Sequence, residues 1–171
     1  PALANGARFE LQVFMTQQMG YGVRTLEAIE ADQEVIEYAG EYVTSEEAER
    51  RDEQLYTGAG VEGSYIYKLP PPSSYIIDAT LVGNAGRFIN HACGSTANLK
   101  VQLRPPPAAR RDSALPPLVV LVARRRIEPW EQLFYSYSQG CARRRRSAEQ
   151  DGVECHCGDR ACAKVVFSES P

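Results

Sequence analysis

The most informative segment of the 171-residue chain is Gly83-Asn84-Ala85-Gly86-Arg87-Phe88-Ile89-Asn90-His91-Ala92-Cys93. The polar pair Asn90-His91 follows two apolar residues, Phe88 and Ile89. Burying such a pair costs free energy unless each polar atom has a hydrogen-bond partner. A ligand with amine, carboxylate and purine edges could supply those partners. The segment therefore predicts a ligand site around Asn90 and His91.

Four further segments carry distinctive residues on either side of this one. Two precede it, namely Gly20-Tyr21-Gly22 and Tyr38-Ala39-Gly40-Glu41. Two follow it, namely Glu131-Gln132-Leu133-Phe134-Tyr135-Ser136-Tyr137 and Cys155-His156-Cys157-Gly158-Asp159-Arg160-Ala161-Cys162. In this order, the five segments resemble the motifs of SET-domain methyltransferases. The similarity covers the chain from residue 6 to residue 165.

Two other segments indicate a group within that family. Residues 22–27 and 44–51 are most similar to the suppressor-of-variegation group, which methylates the lysine at the ninth position of histone H3. The resemblance implies methyl transfer from S-adenosylmethionine to a protein lysine, with an H3 tail as the favoured partner. It also implies a location in the nucleus, on the chromosome, in contact with chromatin.

The resemblance implies a set of residues that contact S-adenosylmethionine. They come from the glycine–aromatic–glycine turn, from the Asn-His segment and from two tyrosines at the channel. These residues are Gly20, Tyr21, Gly22, Tyr65, Arg87, Phe88, Asn90, His91 and Tyr137.

Three tyrosines are the catalytic candidates. The resemblance places Tyr137 where the cofactor and lysine pockets meet, so that its hydroxyl orients the methyl group or the amine. Tyr65 matches a tyrosine that lines the same channel, whereas Tyr67 is expected to be structural. Tyr135 stands where the family carries Phe or Tyr, a choice that affects how many methyl groups are added. Because a phenol occupies space and holds a water, we expect mono- and dimethylation rather than efficient trimethylation.

The cysteines predict a metal site. Cys155, Cys157 and Cys162 are spaced closely enough to bind one ion, although free thiols are the alternative. A closed tetrahedral zinc site needs a fourth thiolate. In the family this ligand comes from the cysteine that matches Cys93, so the resemblance implies Zn²⁺ held by Cys93, Cys155, Cys157 and Cys162. Cys141 has no counterpart and is expected to be a spare thiol.

Apolar periodicity predicts many short strands and one helix. The predicted strands are 9–14, 23–26, 34–43 with a break at Gly40, 64–69, 75–77, 101–103 and 118–123. Thr44 with Glu47 forms a capping box that begins a helix of about three turns, closed by Leu55 and Tyr56. The proline-rich stretch between 104 and 117 predicts a surface insertion.

These elements predict a β-rich α+β domain. The resemblance narrows this to the SET fold, with several small sheets, a pseudoknot and a C-terminal zinc-binding post-SET tail. We expect residues 1–19 to be the end of a pre-SET region or an N-terminal strand, and 20–138 the SET domain. A basic linker at 139–150, which contains Arg143 to Arg146, would precede the post-SET segment 151–171.

Composition is that of a soluble, intracellular protein, without a leader or an apolar run of membrane-spanning length. The net charge of −3 is unevenly distributed, with −9 over residues 1–78 and +6 over residues 79–171. An acidic surface attracts basic peptides and repels nucleic acid. We therefore expect a peptide partner, no direct nucleic-acid readout and no membrane.

Four departures from the family keep other functions open. Ala92 replaces Ser, Ser136 replaces Asp, and Gly94-Ser95-Thr96-Ala97 lengthens the spacer before Asn98. The cysteine-rich pre-SET cluster of the group has no match in these residues. The alternatives are a methyltransferase for a non-histone lysine, an inactive SET module that binds a peptide, and a zinc-binding nucleic-acid module.

Overall fold

The fold is a set of small β-sheets around one principal core. A computed structural model describes residues 6–51, 53–54, 65–71, 73–105, 116–137 and 152–167. The strands of the N-terminal half are β1 (Leu11–Met15), β2 (Tyr21–Thr25), β3 (Glu34–Glu37), β4 (Glu41–Val43), β5 (Ile66–Lys68) and β6 (Ile76–Asp78). The later strands are β7 (Asn90–His91), β8 (Leu99–Arg104), β9 (Leu118–Ala123), β10 (Phe134–Tyr135), β11 (Gly152–Glu154) and β12 (Val165–Phe167). The helices are α1 (Ser45–Arg51) and a 3₁₀ turn at Ala85–Phe88.

The described strands form five sheets of two or three strands. Two are three-stranded, in the orders β3-β9-β8 and β4-β6-β5. Three are pairs, β1-β2, β11-β12 and β10-β7. The β10-β7 pair is parallel, whereas the other strand pairings are antiparallel. The predicted β-rich α+β class, with several small sheets and little helix, is therefore confirmed.

The main core lies beneath these sheets and fixes the floor of the site. Its largest fully buried side chains include Ile29, Ile36, Ile77, Ile89, Leu99, Leu121, Ile127 and Leu133. Each such side chain contributes about 1.5–3 kcal/mol to stability when buried. Ile89 and Leu133 directly precede the two strands of the parallel pair. Their burial therefore anchors β7 and β10.

The central strand β9 was the clearest prediction. It spans the predicted residues 118–123 and is almost wholly buried, since strands flank it on both sides. The predicted break at Gly40 separates β3 from β4. A Cβ at Gly40 would lie 2.7 Å from the carbonyl oxygen of Asp78, so the chain passes too close to β6 for a side chain.

The first hairpin differs from its prediction. Its first strand begins two residues later than predicted, and Tyr21 and Gly22 belong to β2 rather than to a turn. The reason is the register, in which Met15 pairs with Tyr21 and Phe14 with Gly22. The turn is formed instead by residues 16–20, where the Thr16 amide donates to the Gly20 carbonyl at 2.8 Å.

The helix α1 begins where the capping box predicts. The Thr44 hydroxyl accepts from the Glu47 amide at 3.3 Å. The Glu47 carboxylate pairs with Arg50 and Arg51 on the following turn. The predicted helix end at Leu55 and Tyr56 lies outside the described residues. So do Ser64, most of the proline-rich insertion, Cys141 and the run Arg143 to Arg146.

Among the described residues, no helix has the length and apolar character needed to cross a bilayer.

Candidate active site and metal centre

Parallel pairing of β7 with β10 builds the centre of the site. Asn90 pairs with Phe134, and His91 pairs with Tyr135. The Ala92 amide continues the ladder by donating to the Tyr135 carbonyl at 3.1 Å. The Asn-His segment and the tyrosine segment, which are about forty residues apart in sequence, thus lie side by side. The predicted pseudoknot requires that two segments distant in the sequence lie side by side in this way.

Asn98, which follows the Asn-His segment in the chain, fixes the position of the tyrosine segment. It is buried, and its side-chain oxygen accepts from the Phe134 amide at 2.8 Å. Its side-chain nitrogen donates to the Gln132 carbonyl at 2.8 Å and to the Glu131 carboxylate at 3.0 Å. Every one of these bonds fixes the approach to β10. Sequence reasoning used Asn98 only to mark the end of a spacer and missed this role.

A cluster of tyrosines lies next to this pair. The Tyr135 and Tyr137 rings are 4.8 Å apart, and the Tyr38 and Tyr67 rings are 5.5 Å apart. Tyr135 is 5% exposed, and Tyr38 and Tyr67 are also buried in the main core. Burial, followed by the neighbouring phenol of Tyr137, raises the pKa of both Tyr38 and Tyr135. These phenols are therefore neutral hydrogen-bonding groups at physiological pH.

Tyr38 was not predicted as a site residue. Its hydroxyl donates to the Tyr65 carbonyl at 3.1 Å, so it fixes the backbone of a predicted channel residue. The signal was present in the segment Tyr38-Ala39-Gly40-Glu41, which was matched to the family as a strand only.

Tyr137 is tied to the Asn-His segment at both ends. Its hydroxyl donates to the Ile89 carbonyl at 3.0 Å, and its amide donates to His91 Nδ1 at 3.1 Å. Burial, with a smaller effect from Tyr65, raises the pKa of its hydroxyl. The side chain remains 38% exposed, which leaves the ring accessible while its hydroxyl is held in place. The structure thus brings together Tyr137, Tyr135, Tyr65 and His91.

Tyr65 and Phe88 form an aromatic wall beside Tyr137. Their ring centroids are 5.5 Å apart, and the Phe88 and Tyr21 centroids are also 5.5 Å apart. The Arg87 guanidinium lies 4.5 Å from the Phe88 ring and 5.3 Å from the Tyr65 ring. Such stacking suits an arginine because its planar cation is attracted to the faces of aromatic rings. Arg87 also donates to the carbonyls of Ala79 and Thr80, at 2.8 and 3.1 Å.

Backbone passes unusually close to side chains at Gly22. A Cβ there would lie 2.8 Å from Gln132 Nε2 and 3.3 Å from Asn90 Nδ2. Asn90 Nδ2 donates to the Tyr21 carbonyl at 2.9 Å, which joins the hairpin to the Asn-His segment. The buried Gln132 nitrogen has no protein partner. Gly22, Asn90 and Gln132 therefore form a polar cradle. A side chain at position 22 would fill this cradle, whereas glycine leaves room for a polar ligand.

His91 connects the tyrosine cluster to the cysteines. Because Nδ1 accepts from the Tyr137 amide, the proton of the neutral ring resides on Nε2. Nε2 lies 3.2 Å from Cys93 Sγ, to which it donates. Burial lowers the pKa of His91 and so favours this neutral form.

Four cysteines converge beside His91. One ligand atom from each of Cys93, Cys155, Cys157 and Cys162 lies within 4.8 Å of the others. Sulfurs of a tetrahedral zinc site, with Zn–S bonds of about 2.3 Å, are about 3.8 Å apart. Cys93 Sγ and Cys162 Sγ are already 4.0 Å apart. The four residues therefore fit a zinc site, and the predicted ligand set comes together in space.

Amide donors prepare this cage for ionised sulfur. The Cys93 amide donates to Cys157 Sγ at 3.4 Å, and the Lys164 amide donates to Cys162 Sγ at 3.3 Å. Although burial opposes ionisation, amides of Cys93 and Asp159 lower the pKa of Cys157 to about 7. Burial raises the pKa of Cys155 to about 12 and also raises that of Cys93. Cys157 therefore ionises more readily than Cys93 or Cys155.

Comparison with known proteins identifies the pattern that these residues share. A model described as the SET domain matches residues 20–138. Histone-lysine N-methyltransferase SETMAR of Rattus norvegicus is 35% identical over 179 residues, which cover 97% of this chain and 53% of that protein. Histone-lysine N-methyltransferase SUV39H1 of Xenopus laevis is 33% identical over 181 residues, which cover 95% of this chain and 41% of that protein. The chain thus spans about half the length of the SETMAR relative.

A solved structure shares the fold. It is described as KRYPTONITE in complex with mCHH DNA, an H3(1-15) peptide and SAH. It matches with a TM-score of 0.68 at 29% identity, over 94% of this chain and 30% of that chain.

Proposed function

We propose that this chain, which belongs to the SET-domain family, transfers a methyl group from S-adenosylmethionine to a lysine of a histone tail. The observation that carries the proposal is the position of Tyr137. Its hydroxyl is fixed on Ile89, its amide on His91, and its ring on Tyr135. The Tyr137 phenol is therefore held where the Asn-His segment meets the aromatic wall of Tyr65 and Phe88.

We assign the cofactor to the cradle at Gly22 and the residues next to it. Gly20, Tyr21 and Gly22 supply the backbone that would approach the ligand, Asn90 supplies a polar edge from β7, and His91 positions Tyr137 by accepting from its amide. Arg87, Phe88, Tyr65 and Tyr137 complete the set. The unpartnered nitrogen of Gln132 supports a polar ligand at this place. S-adenosylmethionine supplies an electrophilic methyl group on a sulfonium, and the residues of this chain align it.

The protein must also provide a neutral lysine amine. In the transfer, a bond forms between the amine nitrogen and the methyl carbon while the bond from sulfur to that carbon breaks. A channel lined by Tyr65, Tyr135 and Tyr137 desolvates the amine, which lowers the lysine pKa. The ammonium proton is lost to solvent, so no dedicated base is needed. Orientation of the amine by fixed phenols supplies the remaining catalysis.

Tyr135 supports mono- and dimethyl products. Its phenol is buried among Tyr38, Tyr67 and Tyr137, and burial holds it neutral. A neutral phenol beside the amine occupies the volume that further methyl groups would need. It also restricts rotation of an amine that already carries methyl groups.

The four cysteines would hold Zn²⁺ as a structural ion. A site closed by four thiolates has no open position for substrate, so its role is folding rather than chemistry. It fixes the C-terminal segment beside His91, next to the lysine channel.

Along the chain, we assign residues 1–19 to a pre-SET end or an N-terminal strand, and residues 20–138 to the SET domain. Residues 139–150 are assigned to a linker and residues 151–171 to the post-SET segment.

The favoured substrate is the histone H3 tail, at the lysine in position nine. Its support is similarity to SUV39H1 and to a structure that contains an H3(1-15) peptide. A nuclear, chromosomal location follows from that substrate. A non-histone lysine remains the second candidate because the acidic charge of residues 1–78 would attract other basic peptides as well.

The test is methyl transfer from labelled S-adenosylmethionine to core histones and to separate H3 tail peptides, read by mass spectrometry. Tyr137→Phe removes the hydroxyl that is bonded to Ile89, and we expect at least a hundredfold loss of rate, as for a removed transition-state contact. The matched control is Tyr75→Phe, which alters a surface-accessible tyrosine outside the cluster.

Each outcome separates the candidates. Methylation of an H3 peptide that Tyr137→Phe abolishes supports the proposal, and the modified position identifies the lysine. Cofactor binding without histone product favours a non-histone substrate. Absence of cofactor binding by a folded protein refutes the enzyme and favours the inactive peptide-binding module.

A further inference from the structure

The departure from the family at Gly94-Ser95-Thr96-Ala97 forms a turn that faces the cysteine tail. Gly94 has φ +52, a left-handed conformation that favours glycine. A Cβ at Gly94 would lie 2.7 and 2.8 Å from the two carboxylate oxygens of Asp159. The turn and the Asp159 side chain therefore fit together only because residue 94 has no side chain.

Asp159 binds this turn with several donors. One carboxylate oxygen accepts from the Thr96 amide at 2.9 Å, the Thr96 hydroxyl at 3.0 Å and the Ser95 hydroxyl at 3.2 Å. The other oxygen accepts from the Ala161 amide at 2.7 Å, within the cysteine segment itself. Asp159 is only 9% exposed, so these bonds are largely shielded from water. Hydrogen bonds to a charged acceptor are the stronger class in proteins.

The opposite side of the turn is held by the SET core. Arg124 Nη1 donates to the carbonyls of Gly94 and Ala97, at 3.1 and 3.0 Å. The Arg124 amide donates to the Asn98 carbonyl at 2.8 Å. The turn is thus fixed to the end of β9 below and to Asp159 above. Cys93 directly precedes the turn, whereas Cys157 and Cys162 flank Asp159 along the chain.

We propose that Asp159 is a metal-independent clasp that positions the two parts of the four-cysteine cage before an ion binds. The clasp joins the part that carries Cys93 to the part that carries Cys155, Cys157 and Cys162. It lowers the ordering cost of metal binding because the ligands start close together. This inference rests on the proposed zinc site for its effect on affinity, whereas the hydrogen bonds of the clasp use no cysteine sulfur.

The experiment measures cobalt(II) affinity of the full chain by the thiolate charge-transfer absorption, with zinc competition. Asp159→Asn keeps the shape but replaces one acceptor oxygen by an amide NH2 group, a donor that faces other donors. We expect affinity to fall about ten- to hundredfold, the range found when groups around metal ligands are altered. Thr96→Val should give a smaller loss, and Thr96→Ser, which keeps the hydroxyl, should restore affinity. Glu154→Gln, an exposed acid in the same segment, should leave it unchanged.

A second measurement tests the clasp without metal. Hydrogen exchange in the presence of chelator should show protected amides at Thr96 and Ala161, and Asp159→Asn should expose both. Protection of the amides of β9 in the same samples verifies that each variant is folded. Unchanged exchange at Thr96 and Ala161 in folded Asp159→Asn would overturn the clasp.

The two measurements test the metal site and the clasp independently of each other. If cobalt(II) gives no thiolate absorption, the metal site is refuted, while exchange at Thr96 still decides whether the clasp exists. If exchange rises but cobalt(II) affinity does not change, Asp159 is a tether only and the positioning role is refuted.

Discussion

Tyr135 is the residue whose single hydroxyl bears most directly on the product. We predict that Tyr135→Phe shifts the product on an H3 peptide from mono- and dimethyl to trimethyl lysine. The phenol is buried beside Tyr137, so removing its oxygen opens space for the methylated amine without opening the core to water. The measurement is the distribution of methylation states by mass spectrometry at long reaction times. Tyr75→Phe is the control, and trimethyl lysine as the main product of the unaltered protein would contradict the prediction.

Trp130 shows a different kind of constraint at the same scale. It has φ +71 although it is not glycine, and its side chain is 61% exposed. The Arg24 guanidinium lies 5.1 Å from its ring and 4.9 Å from that of Phe14. This stack offsets part of the backbone strain, since an exposed cation–π contact contributes about 0.5–1 kcal/mol.

The strain at Trp130 predicts an unusual ranking of two substitutions. Trp130→Gly and Trp130→Ala both remove the stack with Arg24, but only glycine adopts a positive φ without cost. We predict that the glycine variant is more stable than the alanine variant by about 1 kcal/mol. Urea unfolding of both variants gives the difference. Equal stability, or the usual preference for alanine over glycine, would show that the positive φ imposes no strain.

Among the elements, α1 is attached to the sheet β4-β6-β5 by the buried Ala48 and by one arginine. Arg51 Nη1 bonds to Asp78 at 3.0 Å and to Glu41 at 2.9 Å, while its Nε bonds to Glu47 at 2.8 Å. Asp78 is 1% exposed, so its charge depends on protein partners. The other Asp78 oxygen accepts from the Thr80 amide, and the Thr80 hydroxyl accepts from the amide of Tyr65. The helix attachment thus continues to the backbone of Tyr65, a residue of the proposed lysine channel.

Removal of that arginine should destabilise the protein as a buried ion pair does. We predict that Arg51→Met lowers the free energy of unfolding by about 3 kcal/mol, because it leaves the Asp78 carboxylate buried with fewer partners. Arg50→Met is the matched control, since Arg50 pairs with Glu47 at the surface, where solvent screens the two charges, and its loss should cost much less. Both values come from denaturant unfolding. Similar losses for the two variants would mean that the Asp78 pair is no stronger than a surface pair.

Elements differ in how far the sequence could predict them. The strand β9 was predicted to the residue because an unbroken apolar run is typical of a central strand buried on both faces. The pair β7-β10 has two residues in each strand, too few for any periodicity to show. Its position came from the resemblance in the Asn-His and tyrosine segments. Where pattern carries no signal, only matched motifs located the site.

The same difference holds for the contacts between elements. The cysteine spacing predicted a metal site at Cys155, Cys157 and Cys162, the resemblance added Cys93, and the four sulfurs do converge. Nothing in the spacing indicated that Asp159 would bind Thr96, because bonds between distant segments depend on how the turn at Gly94 folds. Tyr38 was missed for a similar reason, since its contact with Tyr65 arises from the packing of β5 and β6 near the end of β3.

At the scale of the whole molecule, the tyrosines that build the site also join it to the core. Tyr38, Tyr67 and Tyr135 belong to the main core. Burial raises the pKa of Tyr38 and of Tyr135. Burial also raises the pKa of Tyr42, in this case to about 12. In an unfolded chain a phenol ionises near pH 10. Because ionisation is disfavoured only in the folded state, these groups stabilise the fold fully below about pH 10. That contribution is lost as the pH rises further.

This linkage predicts an alkaline loss of stability that depends on identifiable phenols. Above about pH 10, each tyrosine with a raised pKa should lower the free energy of unfolding by about 1.4 kcal/mol per pH unit. Tyr135→Phe should therefore make the fall with pH less steep by the contribution of one tyrosine. Unfolding curves in urea from pH 8 to pH 11.5 measure it. Ile77→Val, a core change without an ionisable group, should lower the whole curve by about 1 kcal/mol without changing its shape. If the curve for Tyr135→Phe runs parallel to that of the unaltered protein, the Tyr135 phenol ionises as readily in the folded state as in the unfolded chain. A site containing so accessible a phenol could not exclude water from the lysine amine, so this outcome would also count against the proposed channel.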